Sequence, residues 1–271
     1  MRRVGKMDIQ KIIANVRETV ASGYYERLAP ERRERKSLCE RIERMGEAGS
    51  LPVVAEVATA HSGGLFLPGR RAASKLIDRM CGRLDICALD LWVEPKLHAG
   101  DLRWLSKESE IPLISKDWII DTHQIVGGDA VLLDISLLGI VNADLHEMIE
   151  VSHDLDLEAV VQIRTDEELV EAKRSEADVI MINNFGNNGM ADVSVTLNAL
   201  LKNKTGRPVI SAFGVRAAAD VRSLLVAGAN AIEMPASQVC SPLFEAELLK
   251  IRGAIHGREP EKLEQQGKIA E

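Results

Sequence analysis

Residues 129–134, Asp-Ala-Val-Leu-Leu-Asp, and residues 158–163, Glu-Ala-Val-Val-Gln-Ile, are short aliphatic runs, and between them residues 142–154 carry apolar side chains at helical spacing. A strand, a helix and a second strand in that order form a parallel βα unit, because a parallel neighbour can be reached only by a crossover. The same grammar continues in both directions, with strands expected at 53–57, 85–91 and 112–115 before this unit and at 178–182, 208–211 and 229–234 after it. Helical patterns follow them near 70–82, 99–109, 120–127, 165–175, 192–203, 216–227 and 241–254. Eight strands, each followed by a helix, predict an α/β chain folded as a (β/α)8 TIM barrel. A doubly wound open sheet usually has fewer strands and a glycine-rich first turn, and the sequence has neither feature.

The chain divides into a helical extension over residues 1–50, the barrel over 51–256 and a polar tail over 257–271. Residues 7 to about 47 read as helical, first with Ile9, Ile12, Ile13 and Val16 on one stripe, then through a charged stretch carrying Leu38 and Ile42. The 271 residues, 46% hydrophobic and 28% charged, are enough to bury a full core, and a single barrel of about 250 residues accommodates them. A net charge of −7 with only 3% aromatic residues argues against a nucleic-acid-binding face. Charges interrupt every long apolar run, so no membrane span or signal peptide is expected and the cytoplasm is the default location. Cys39, Cys81, Cys87 and Cys240 are too sparse for a disulfide framework, and the histidines have no ligand spacing, so no metal is expected.

In a barrel the chemistry lies at the C-terminal ends of the strands, so polar residues that close apolar runs are the candidates. They are Glu56, Glu94, Lys116, Asp134, Gln162, Asn183, Asn184, Ser211 and Glu233. Glu56 and Lys116, on strands one and three, are placed to face each other across the mouth and to tune each other's proton affinity. Asp134 and Glu233 are expected to pair with basic neighbours in the barrel wall rather than to do chemistry, and Lys96 to cap a helix or sit in water. A phosphate would be held by the loops after strands seven and eight, where Gly214 allows close backbone approach and Ser237 offers a hydroxyl, while Pro235 has no N–H to donate.

The order of these residues resembles the indole-3-glycerol phosphate synthase family from about Ser37 to Arg252. The resemblance rests on Ala55-Glu56-Val57, Glu94-Pro95-Lys96, Lys116-Asp117-Trp118-Ile119-Ile120-Asp121 and Ile182-Asn183-Asn184. It implies closure of the ring of a carboxyphenylamino-deoxyribulose phosphate with loss of carbon dioxide and water, as in tryptophan biosynthesis, with no cofactor. It implies catalytic roles for Glu56, Glu94, Lys116 and Asn183, with Lys116 as general acid, and an N-terminal extension that covers the barrel bottom or helps bind substrate. His61 falls at the position of a phosphate-contacting serine, and Gly214 and Ser237 fall in the phosphate loops.

The chain departs from the family pattern at several of these places. Ala58 stands where the family has a catalytic lysine, and Gln162 where it has the strand-five glutamate. Phe185 replaces an arginine, Ala212-Phe213 replaces Glu-Ser, and Pro235 replaces the glycine of the last phosphate turn. General acid/base groups contribute about 10²- to 10⁴-fold each, so these changes predict reduced or altered activity on a phosphorylated small molecule. Two other readings stand beside it. One is a catalytically depleted barrel that binds a phosphorylated sugar or a partner protein. The other is a different phosphosugar enzyme, an isomerase or aldolase with Lys116 or Lys96 as a Schiff-base lysine. The oligomeric state is left open.

Overall fold

The computed structural model describes residues 9–28, 34–57, 80, 85–95, 109–185, 190–202, 204–242 and 246. Eight parallel strands close into a barrel in chain order: β1 (Val53–Val57), β2 (Ile86–Trp92), β3 (Leu113–Lys116), β4 (Ala130–Asp134), β5 (Glu158–Ile163), β6 (Val179–Asn183), β7 (Val209–Ala212) and β8 (Ala231–Pro235). The expected (β/α)8 TIM barrel with a helical N-terminus is therefore present. Several strands run one residue further than the sequence suggests. Lys116 and Asn183 thus end β3 and β6 as strand residues, and Asp90 and Trp92 fall inside β2.

Side-chain alternation along the strands separates two cores. Inside the barrel, Val54, Ala88, Ile114, Leu132, Val160, Met181, Ile210 and Ala231 pack with one another. The opposite strand faces pack outward under the helices, with Val53, Ala55 and Leu89 on one side and Val131, Val161 and Ile180 on the other.

The N-terminal region is α1 (Ile9–Ala21), a short 3-10 turn (Tyr25–Leu28) and α2 (Leu38–Glu47), where the sequence suggested one helical stretch; Gly23, at φ +66°, turns the chain after α1. The resemblance implied an extension that covers the barrel bottom or helps bind substrate; the two helices lie at opposite ends of the barrel. Leu38, Ile42 and Met45 of α2 plug the barrel interior from below. There the first amides of α2 meet a carboxylate: Leu38 and Cys39 N–H donate to Glu158 Oε2 at 2.7 and 3.2 Å, which suits the positive end of the helix. At the other end of the barrel, Ile12, Ile13 and Val16 of α1 pack on Ile120 and Trp118, which follow β3, and on Leu137, which follows β4.

After β4 the chain enters α3 (Ile135–Val141) directly, capped by Asp134, and then α4 (Leu145–Asp154), capped by Asp144. Only the second of these helices was expected; Asn142, left-handed at φ +56°, divides the two. The helix expected over 120–127 is a single 3-10 turn, Thr122–Gln124. It stops because the Gln124 side chain folds back onto Ile120 N–H and Trp118 C=O, and because Gly128 must adopt φ +85°, where a Cβ would meet Leu113 C=O at 3.0 Å. Further helices are α5 (Asp166–Arg174), α6 (Ser194–Lys202), α7 (Ala218–Ala227) and the short α8 (Ala236–Val239). The helices expected near 70–82, 99–109 and 241–254 fall wholly or mostly outside the described residues, as do Ala58, His61, Lys96 and the tail over 257–271.

Candidate active site

Inward-facing positions at the ends of β1, β2, β3 and β8 place four charged groups together. Glu56 is level with Asp90 in the β1–β2 register, and Ala212 is level with Glu233 between β7 and β8. Lys116 reaches into this ring from β3 and is almost fully buried. Its Nζ donates to Glu233 Oε1 at 2.7 Å, Asp90 Oδ2 at 2.9 Å and Glu56 Oε1 at 3.0 Å. An ammonium has three N–H groups, and these bonds use all three. Burial alone would lower the proton affinity of Lys116, but Asp90, Glu233 and Glu56 hold its ammonium well above the ordinary lysine range.

The rings of Trp92 and Phe213 lie 5.3 and 5.1 Å from the Lys116 nitrogen. Trp92 Nε1 also donates to Glu56 Oε1 at 2.8 Å, so Glu56, the most exposed acid of the group, is fixed from two sides. Phe213 packs against Phe185 with ring centroids 5.0 Å apart and planes tilted by 52°.

Around the remaining strands the expected residues are distributed unevenly. Asn183 ends β6 with its Oδ1 accepting Phe185 N–H at 3.0 Å. Asn184 points the other way: it donates to Ser211 Oγ and Phe213 C=O, and accepts from Thr196 N–H and Oγ1. Asn184 and Ser211 therefore fasten α6 to the wall and are not part of the mouth. Gln162 donates to Asp134 Oδ2 at 2.7 Å, while Arg164 grips both Asp134 oxygens at 2.6 and 2.7 Å. The expected wall pairing of Asp134 is thus present. Glu233 also pairs with a basic residue, but that residue is Lys116 at the mouth rather than a neighbour in the wall, because closure of the barrel sets β8 beside β1.

Glu94 is buried beyond the end of β2 and lies close enough to Asp117 to raise its proton affinity. Asp117 accepts from Tyr25 Oη at 2.7 Å and from Trp118 N–H at 2.6 Å, linking the N-terminal region to the loop after β3. Burial pushes the Asp117 carboxyl from 3.8 to about 7. After β7, Phe213 and Gly214 are both left-handed, at φ +64° and +83°, and after β8 Ser237 is exposed on α8. The N–H groups of Arg216 and Ala217, which lead into α7, already donate to Asp220 Oδ2 at 2.8 and 2.9 Å.

The sequence reading missed Asp90 and underrated Glu233. Each is an acid inside an aliphatic strand, and that interruption is the signal that could have singled them out.

The comparisons with known proteins agree with this architecture. The family model for indole-3-glycerol phosphate synthase matches residues 7–237. The indole-3-glycerol phosphate synthase of Carboxydothermus hydrogenoformans is 30% identical over 224 residues, covering 76% of this chain and 81% of that one. The Syntrophobacter fumaroxidans protein of the same name is 28% identical over 246 residues, covering 88% and 92%. Among solved structures, the N-acetylmannosamine-6-phosphate 2-epimerase of Clostridium perfringens superposes with a TM-score of 0.55 at 12% identity, over 80% of this chain and all of that one. Orotidine 5'-phosphate decarboxylase of Pyrococcus horikoshii OT3 gives 0.52 at 14% identity, over 76% and 99%. These two likenesses show the barrel fold alone. From the match over residues 7–237 and the identity to curated relatives, the chain belongs to the indole-3-glycerol phosphate synthase family.

Proposed function

We propose that this barrel closes the ring of a carboxyphenylamino-deoxyribulose phosphate, with loss of carbon dioxide and water, as a slow decarboxylating carbon–carbon lyase of tryptophan biosynthesis in the cytoplasm. The observation that carries the reading is the Glu56–Lys116 pair, 3.0 Å apart at the mouth of a chain that matches the family over residues 7–237.

Ring closure requires the ketone oxygen to accept a hydrogen bond or proton as the aromatic carbon attacks, and dehydration requires the hydroxyl to leave as water. Lys116 is the cation available for both steps among the described mouth residues. Because its three N–H groups are already donated, substrate oxygen must replace one carboxylate, and Glu56 is the one that solvent reaches. Trp92 Nε1 remains to hold Glu56 once it lets go of Lys116. Glu56 then serves as the nearest base, Glu94 adds negative charge near Asp117, and Asn183 faces the mouth from β6. The phosphate would lie between Gly214 and Ser237, with His61 as a further contact. Its binding is weakened because Asp220 already occupies the Arg216 and Ala217 N–H groups and Pro235 offers none.

Three features make the reaction slow. Lys116 holds its proton too tightly to be a matched acid, Gln162 cannot act as a base, and Ala58 supplies no second ammonium. The same carboxylates oppose the neutral amine that a Schiff base needs, which removes support from the aldolase reading for Lys116. Binding without turnover is the reading favoured if the bond to Glu56 never opens. Incubation with the substrate while following indole fluorescence decides between them. Slow turnover abolished in Glu56→Gln supports the lyase, and saturable binding without product supports the depleted barrel.

A further inference from the structure

Asp90 and Glu233 have no part in the reaction as described, yet they are among the most buried acids of the mouth. Asp90 is 0% and Glu233 2% exposed, and each gives one oxygen to Lys116. The other oxygen of each, Asp90 Oδ1 and Glu233 Oε2, is buried and has no hydrogen-bond partner. Fully ionised, the group would hold three negative charges against one positive, and of the three acids solvent reaches Glu56 alone. A buried acceptor left without a donor is costly, and an uncompensated buried charge more so. Glu233 and Asp90 lie within side-chain hydrogen-bonding reach of each other, so one proton on Glu233 relieves both problems: it supplies the missing donor and removes one surplus charge.

We propose that Glu233 keeps its proton at neutral pH and donates it in a hydrogen bond to Asp90, and that this pair is the internal acid that recharges Lys116 after it has given a proton to substrate. The second half rests on the lyase reading above; the first does not. Among the described residues the groups facing Glu233 are Glu56 from β1, Asp90 from β2 and Lys116 from β3, while β7 (Val-Ile-Ser-Ala) contributes nothing that titrates. Burial raises Glu233 well above the carboxylate range against the pull of Lys116, and Asp90 and Glu56 raise it further, so the proton resides mainly on Glu233. In turnover Lys116 passes a proton to the substrate oxygen, and the neutral amine then takes the proton of Glu233, leaving both acids as carboxylates. Lys116, recharged in this way, gives the second proton that leaves with the hydroxyl as water. The proton shed when the new ring becomes aromatic, with one more taken up from water, restores Lys116 and the pair; loss of carbon dioxide itself returns its bonding electrons to the ring and needs no proton.

The test is infrared difference spectroscopy near neutral pH, wild type against Glu233→Gln and against Asp90→Asn. Glutamine is the neutral isostere of the protonated acid, so the fold should tolerate it. Without Asp90, Glu233 faces Lys116 with one competing acid fewer and should ionise, which provides a second variant should the first fail to fold. Both difference spectra should show the carbonyl band of a protonated carboxyl, shifted in heavy water, as a feature of the wild type alone. Absence of that band from both overturns the proposal. With the band present, Glu233→Gln should lower kcat about tenfold or more at unchanged KM, as loss of an acid/base group does. An unchanged kcat overturns the recharging role. A wild type that shows the band but makes no indole product refutes the lyase reading and leaves the proton on Glu233 standing.

Discussion

Asp117→Asn should reverse the order of stability between wild type and variant as pH rises. In the folded chain burial holds the Asp117 carboxyl at about 7 rather than 3.8, despite the hydrogen bonds it accepts from Tyr25 and Trp118. Between those two values the native state binds a proton that the unfolded chain has already lost. Stability conferred by this group is therefore complete below about pH 4, falls as pH rises, and is gone above about pH 7. At about 1.36 kcal/mol per pH unit the full effect is about 4 kcal/mol. Asparagine cannot titrate and its amide oxygen can still accept from Tyr25, but its NH2 faces Trp118 N–H and loses that bond, at a cost of about 1–3 kcal/mol. The variant should thus be the less stable protein near pH 4 and the more stable one near pH 8. Urea denaturation at fixed ionic strength across that range measures both curves. If the two curves run parallel, Asp117 is ionised in the native state throughout, and the account of its burial is wrong.

Lys116→Met should cost about 3–5 kcal/mol by denaturant titration at pH 8, because it leaves Glu56, Asp90 and Glu233 without their cation; the loss should shrink on acidification, and a loss that grows instead would contradict the charge balance described. Gly214→Ala should destabilise by about 1–2 kcal/mol, since φ is +83° and a Cβ would lie 3.3 Å from Asp192 N; an unchanged melting temperature would show that the loop relaxes freely. Restoring Ala58→Lys and Gln162→Glu together should raise turnover more than either change alone, because such groups act as one unit. The carboxyl introduced by Gln162→Glu would stand beside Asp134, which Gln162 now meets at 2.7 Å, and this like-charge contact should raise one of the two toward the range of a working base. Wild-type turnover of about 1 s⁻¹ or faster would refute the depletion argument.

The barrel was legible because its signal is local. Each strand is a short aliphatic run, each following helix keeps its own period, and in this sequence the alternation repeats eight times. The strand-end positions of Glu56, Lys116 and Asn183 were legible for the same reason, since each is a polar residue at the close of an apolar run. The helices were less so: Ile135–Val141 is a helix ahead of the span expected over 142–154, and the inward fold of Gln124 stops what looked like a full helix after β3.

What the sequence determined by itself was the βα order, the strand-end candidates and the motif positions at which the chain departs from its family. Only the tertiary structure decided how those charges are partnered. Lys116 meets Glu233, 117 residues away, because the last strand closes against the first, and no pattern within either strand encodes that contact. It meets Asp90 because the register of β2 turns that acid inward, where one residue of slip would have faced it toward the helices. The chemistry of the mouth depends on those pairings, since a buried lysine facing one acid and a buried lysine facing three differ in charge and in how readily they release a proton.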